Sequence, residues 1–309
     1  MINAIPSGGS RQILLSKRAN IFYLDQVKVF VRHERVIYQI VKGPNALDYN
    51  LPDCNTALLL LGKGSSITDA AIRALAKSGV IVGFAGSGGS PLHSVVDYVF
   101  LNPADEYRPT EYCQQWVKMW FLADERFQRA KLMQQWRIEF TLKAWTQNEF
   151  LQKKVIQCPE ALVGTFRDKI NEVSDENKLM LAEALWTKGL YAALSKNLNL
   201  AFKREHGLAV PGDTNSFLDH GNYLMYGLAS VALHALGIPA AFPLLHGKTR
   251  RGALVFDVAD LFKDAHVLPL AFEAGYEAWS DQQFRSSLIQ KLQKEEILDH
   301  MINSIKKLI

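Results

Sequence analysis

Hydrophobic and polar positions keep one rhythm over the first hundred residues and another over the rest. Val27, Val29 and Val31 alternate with Lys28, Phe30 and Arg32, the two-residue period of a strand with one buried face. His33-Glu34-Arg35 interrupts the pattern and Val36–Val41 resumes it, which predicts a β-hairpin. Ala57–Leu61 is apolar throughout, as a short buried strand is, and runs into the loop Gly62-Lys63-Gly64-Ser65-Ser66. Thr68 and Asp69 offer capping side chains for a helix through Lys77, and Gly79–Phe84 returns as a strand. These hairpins and the strand–helix–strand unit predict a mixed, β-rich first domain.

The period then lengthens. Glu111 to Arg204 is rich in Leu, Ala, Gln, Lys and Trp, and Arg126, Phe127, Ala130, Lys131, Met133, Gln134 and Arg137 follow helical spacing. Leu288, Ile289, Leu292, Leu298, Met301, Ile302, Ile305 and Leu308 recur every three or four residues and predict a closing amphipathic helix. Tyr226–Leu245 is nearly all apolar or small, about the length of a membrane span. His234 interrupts it and Pro239 and Pro243 break it, so it reads as a buried helix followed by an extended segment. Ala253–Phe256 reads as a strand. Breaks cluster at Gly86-Ser87-Gly88-Gly89-Ser90-Pro91, Asn102-Pro103 and Arg108-Pro109. The expected fold is α+β and multidomain: a β-rich, β-sandwich-like domain over 1–97 and an all-α domain over 98–309.

Composition narrows the class. With 309 residues, 48% hydrophobic and 21% charged, the chain can bury one large or two smaller cores. Met1 to Asn20 holds only the short apolar stretch Ile13–Leu15 and so lacks a signal-peptide core. The expectation is a soluble protein with no membrane partner. Cys54, Cys113 and Cys158 are widely spaced and form no C-x-x-C, which argues against a disulfide framework or structural zinc and fits a reducing cytoplasm. A net charge of +4 permits nucleic-acid binding without requiring it.

Candidate chemistry sits in the second half. Leu179–Trp186 is apolar except for Glu183. An ionised carboxylate on such a face needs a cation, a hydrogen-bond partner or solvent; a Glu at the rim of a helix face is the plain alternative. His246 emerges from apolar chain into Gly247, placed either as a presented imidazole or as a hydrogen-bonded core residue. Asp257 and Asp260 stand three apart on one helix face, where Asp257 could equally be an N-cap and Asp260 a partner of the helix dipole. Together these carboxylates and one imidazole suit a hard divalent ion, the imidazole tilting preference from magnesium toward manganese. Lys248, Arg250 and Arg251 follow His246 and Lys263 follows Asp260, positioned to attract a phosphate backbone or to form an ordinary solvated loop. Asp213-Thr214-Asn215 reads as a cap, with Asn215 a possible brace for the site. The Gly62–Ser66 loop hints at phosphate binding but lacks the P-loop spacing.

At these residues the sequence resembles the Cas1 family of CRISPR adaptation integrases, and within it the I-F subtype. Leu58–Thr68, Glu183 with Tyr191, Asn215 with Tyr226-Gly227, Leu245-His246-Gly247 and Asp257-Val258-Ala259-Asp260 carry the likeness in order. The resemblance implies an N-terminal homodimerisation domain and a C-terminal catalytic one. It implies Glu183, His246 and Asp260 as ligands of magnesium or manganese, Asp257 as a nearby essential acid, and Tyr191 and Asn215 in support. It implies capture of short foreign double-stranded DNA and its insertion into a CRISPR repeat array, beside Cas2 fused to the Cas3 helicase–nuclease. The competing readings are a nuclease of branched DNA in repair, a non-catalytic DNA-binding scaffold and, more distantly, a nucleotide-binding protein.

Overall fold

The structure, a computed structural model, describes Arg18 and residues 20–42, 45–86, 99–101, 110–205, 212–247 and 252–309. Two compact units result. The first holds the described residues up to Gly83 with Phe100 and Leu101; the second holds the rest. The expected division into a β-rich N-terminal part and a helical C-terminal part is borne out.

The strands are β1 (Asn20–Leu24), β2 (Val27–Arg32), β3 (Arg35–Lys42), β4 (Asn45–Asn50), β5 (Thr56–Leu61), β6 (Ser66–Ile67), β7 (Ile81–Phe84) and β8 (Val99–Leu101). They form two four-stranded sheets, ordered β1-β5-β7-β8 and β4-β3-β2-β6. The predicted hairpin is the antiparallel pair β2–β3, with Val29 opposite Tyr38 and Val31 opposite Val36. All six residues of β5 are buried, which explains its unbroken apolar run. Helix α1 (Asp69–Lys77) starts where Thr68 accepts from the Ala71 N–H. The Gly62–Ser66 loop is stitched to its surroundings: the Gly62 N–H bonds Leu24, Lys63 accepts from Gln26, and Ser65 bonds Leu24. A side chain at Gly62 would strike the Tyr23 ring, and Gly64 sits at φ 75°. The glycines there serve the turn.

The second unit is built from α2 (Thr110–Trp120), α3 (Ala123–Gln147), α4 (Glu149–Lys153), α5 (Glu160–Glu172), α6 (Glu176–Leu198), α7 (Thr214–Ala235), α8 (Ala253–Phe262), α9 (Leu268–Tyr276), α10 (Asp281–Lys294) and α11 (Ile297–Leu308). Helix α7 is buried nearly all along from Leu224 to Leu233, and α8 is buried at every position. A helix covered on all sides shows no amphipathic period. That is why Tyr226–Leu245 resembled a span; no described helix is long and apolar enough to cross a membrane. It also corrects the strand expected at Ala253–Phe256, which is the first turn of α8, since a short apolar run carries no period that separates strand from buried helix. The single closing helix is likewise two: Glu296 takes left-handed φ 48° between α10 and α11. Ser87–Pro91, Asn102-Pro103 and Arg108-Pro109 lie outside the described residues.

Helix α4 ends in a Schellman turn: the Val155 N–H bonds Gln152 and the Ile156 N–H bonds Leu151. The left-handed position of such a turn favours glycine, yet Val155 occupies it at φ 56° with 84% of its surface exposed. A β-branched residue there is strained. Val155→Gly should therefore raise unfolding free energy by about 0.5–1 kcal/mol, the relieved strain being partly offset by glycine's extra unfolded entropy. In urea titration this reads as a higher midpoint at unchanged slope.

Candidate metal centre

Three distant stretches of chain meet in the helical unit. Glu183 comes from the middle of α6, Asp260 from the last turns of α8, and His246 from the connector between α7 and α8. Each offers a ligand atom, and these atoms all lie within 4.8 Å of one another. His246 Nε2 stands 3.5 Å from Asp260 Oδ2.

The imidazole is held from behind by Asp257, whose Oδ1 lies 2.7 Å from His246 Nδ1 and accepts the His246 N–H at 3.0 Å. Its Oδ2 accepts the N–H groups of Leu244 at 2.6 Å and Leu245 at 3.3 Å. One buried carboxylate thus fixes both the ring and the backbone that presents it, and turns Nε2 toward Asp260. Asp257 is no N-cap; Gly252, in left-handed conformation, precedes α8. Burial, the largest influence on His246, pulls its pKa down. The Asp257 hydrogen bond and the charges of Asp260, Asp257 and Glu183 outweigh it and raise the group to about 9.

After Phe262 the helix widens into one π turn, Lys263–Val267, before α9. Such turns are common at functional sites because they re-aim side chains. Here Lys263 folds back onto Asp260 in a close ion pair and donates to the Tyr226 hydroxyl at 3.4 Å. Burial lowers the Lys263 pKa, but the Asp260 charge more than compensates and leaves it raised. Asp264 points elsewhere, to the guanidinium of Arg137 on α3. Arg137 Nε donates to Asp264 Oδ2 at 2.6 Å, Nη1 to Glu183 Oε1 at 2.7 Å, and Nη2 to Thr187 Oγ1 at 3.0 Å. Although Arg137 is only 2% exposed, Asp264, Glu183 and Asp260 overcome the burial cost and raise its pKa.

The donor set fits a divalent ion. Opposite ligands of an octahedral ion bound at about 2.1 Å stand about 4.2 Å apart, so atoms within 4.8 Å close on one with adjustments of tenths of an ångström. Glu183, Asp257, Asp260 and Asp264 carry four negative charges against the two of Arg137 and Lys263, leaving −2 when the imidazole is neutral. The ring's second nitrogen bonded to a carboxylate is the usual arrangement of a ligating histidine.

Comparison with known proteins gives the family. The profile described as CRISPR associated protein Cas1 matches residues 23–307. The chain belongs to the Cas1 family. It is 40% identical over 315 residues to a CRISPR-associated endonuclease Cas1 of Pectobacterium atrosepticum, covering 99% of this chain and 97% of the relative. To the protein of the same name from Pseudomonas aeruginosa it is 41% identical over 307 residues, covering 96% and 94%. In fold it is similar to a TtCas1–DNA complex (TM-score 0.65, 20% identity, 94% of this chain and 91% of the other). It is also similar to a chain of a partial Cas6-RT-Cas1–Cas2 complex (TM-score 0.56, 13% identity, 94% of each).

Of the residues singled out in this Cas1-family sequence, Glu183, His246, Asp257 and Asp260 converge. Lys263 is turned inward onto Asp260 rather than outward as a solvated DNA contact. Tyr191 lines a cavity of about 90 Å³ beside Arg137 and Glu183. Asn215 bonds Arg204, Glu205 and Lys203 instead of the centre, while Asp213 caps α7 through the Ser216 N–H. Lys248, Arg250 and Arg251 lie outside the described residues. Sequence reasoning missed Arg137 and Asp264. Both had a signal: Arg137 falls on the buried stripe of α3 with Ala130, Met133 and Ile138, and Asp264 continues the Asp257–Asp260 spacing.

Two outcomes follow. Asp257→Ala would leave the Leu244, Leu245 and His246 N–H groups without their acceptor, at about 1–3 kcal/mol for each buried one. Unfolding of the metal-free protein in denaturant should show a loss of about 3–5 kcal/mol, the scale of breaking a buried charged network. Burial and the neighbouring charge of Asp264 push the Cys158 thiol up to about 12. A thiol reagent at neutral pH should therefore modify exposed Cys54 before Cys158; equal rates would contradict the packing around Asp264.

Proposed function

We propose that this Cas1-family protein is a divalent-metal-dependent DNA endonuclease and integrase that inserts captured DNA fragments into a CRISPR array by transesterification. The observation that carries the reading is the meeting of Glu183, His246 and Asp260 around one point, with Asp257 locking the imidazole. A magnesium or manganese ion held there would supply Lewis acidity, polarising a phosphodiester and lowering the pKa of an attacking 3′-hydroxyl. Asp257 keeps the His246 Nε2 lone pair directed inward. Arg137 holds the Glu183 carboxylate by one oxygen, which leaves the second for the ion. Lys263 shares its charge with Asp260 and stands where negative charge on a transferring phosphate would gather. Lys248, Arg250 and Arg251, just past His246, are assigned to the DNA backbone.

The relatives' names and folds support the surrounding assignments. Two are called endonucleases, one structural neighbour holds DNA and another comes from an assembly with Cas2. For this chain we assign double-stranded DNA and a Cas2 module, fused to Cas3 in the I-F arrangement, as partners, and the cytoplasm, where its cysteines stay reduced, as its location. Homodimerisation falls to the N-terminal unit. Strand β4 is a sheet edge exposed at all six positions, with Leu47 45% and Tyr49 41% exposed, and an open edge of this kind is a template for pairing with a second chain.

His246→Ala should cut manganese-dependent strand joining by at least about a hundredfold, the scale of a lost ligand, while the protein elutes as wild type. Wild-type joining rates in that variant would refute the centre. Hydrolysis without strand transfer into a repeat would point instead to a repair nuclease. Separately, Leu47→Arg should shift sedimentation from dimer to monomer; an unchanged dimer would move the interface away from β4.

A further inference from the structure

The metal centre proposed above is flanked on its Glu183 side by a closed ring of interactions that begins and ends on α6. Asp264 Oδ2 accepts from Arg137 Nε at 2.6 Å and from the Trp186 indole at 2.9 Å. The Asp264 carbonyl accepts the Trp145 indole at 2.8 Å, so backbone and side chain are both pinned. Arg137 then bridges to Glu183 and Thr187. Glu183, Trp186 and Thr187 lie within five residues of α6, three and four positions apart and therefore neighbours on the helix surface. Trp186 is itself fixed by stacking on Phe166 at 5.1 Å.

We propose that Asp264 is a positioning residue for the reaction, acting through Arg137 to set the direction of the Glu183 carboxylate. A guanidinium has five donors in one plane. Two points fix its orientation, and the acceptor at Nε decides where Nη1 aims. Without Asp264, Arg137 would still be attracted to Glu183, and the Thr187 hydroxyl at Nη2 would be a weaker check on its swinging to take both carboxylate oxygens in a bidentate pair, the geometry guanidinium groups favour. That pair would compete with an ion for Glu183. Asp264 holds Arg137 edge-on, limits it to Oε1, and keeps the remaining oxygen open. Lys263 pairs with Asp260 one α-helical turn back, and Asp264, inside the π turn that starts there, goes to Arg137 from the adjacent position.

The inference rests on the proposed metal centre, and its test keeps the two apart. Manganese binding to the full-length protein is measured by titration calorimetry and by electron paramagnetic resonance of the free ion. Asp264→Asn should weaken wild-type affinity by about 10- to 100-fold, the cost typical of losing an outer partner of a metal ligand. Strand joining should recover substantially at saturating manganese. In a Glu183→Gln background the same substitution should add little, because its effect passes through Glu183; an effect of full size there would overturn the proposal. So would wild-type affinity in Asp264→Asn. Should that variant fail to fold, Trp186→Phe removes one hydrogen bond to Asp264 and keeps the ring, and should weaken manganese binding severalfold; no change would again overturn the proposal. Absence of manganese binding in the wild-type protein would instead sink the proposed function.

Discussion

Four carboxylates gathered inside a helical core repel one another, and the second unit is arranged around keeping each of them occupied. Asp257 is satisfied by three backbone N–H groups and an imidazole, Asp260 by Lys263, Asp264 by Arg137 and Trp186, and Glu183 by Arg137. An unpaired buried charge costs several kcal/mol, so none of these partners is dispensable to the packing. The result is a set of four carboxylates each of which has a partner, yet whose formal charge is not cancelled. The surplus collects where Glu183, His246 and Asp260 meet.

Backbone geometry turns this pairing into a directional site. Helix α8 brings Asp257 and Asp260 to one face three residues apart, and both are buried because the whole helix is. A continuous α-helix would carry Lys263 and Asp264 onward at 100° per residue. Lys263 still sits one turn after Asp260 and folds back on it, and the π turn begins there as its neighbour Asp264 reaches across to α3. Close helix approach supports the arrangement. A side chain at Gly221 in α7 would strike Val267 at the end of the π turn, so the turn is pressed against the central helix.

Much of this was legible in the sequence. The change of period near residue 100 separated the β-rich unit from the helical one, and Glu183 stood out as the lone charge in an apolar octet. Two readings were blurred for one physical reason: complete burial erases periodicity. Ala253–Phe256 looked like a strand because every face of α8 is covered, and Tyr226–Leu245 looked like a span because α7 lies at the centre of the helices. Arg137 was hidden differently. Its spacing marked it as part of a helix but assigned it no role, and the structure places it on the buried stripe. The convergence of Glu183 with residues sixty and more positions away could not be read from spacing. It came only through resemblance.

Structural zinc modules lack a fold without their ion because no preformed site exists until it binds, so the binding free energy is the folding free energy. This centre differs in carrying its own counterions. Lys263 lies against Asp260, Arg137 against Glu183, and the raised pKa of His246, about 9, places a proton on the imidazole at neutral pH. Three cationic groups thus hold the ligand set together before any metal arrives. A divalent ion bound there would displace that proton and meet a ligand set already held by the protein's own charges, so it would not need to organise the fold. Its binding energy would then be available for polarising a phosphate, which is the use a catalytic site has for it.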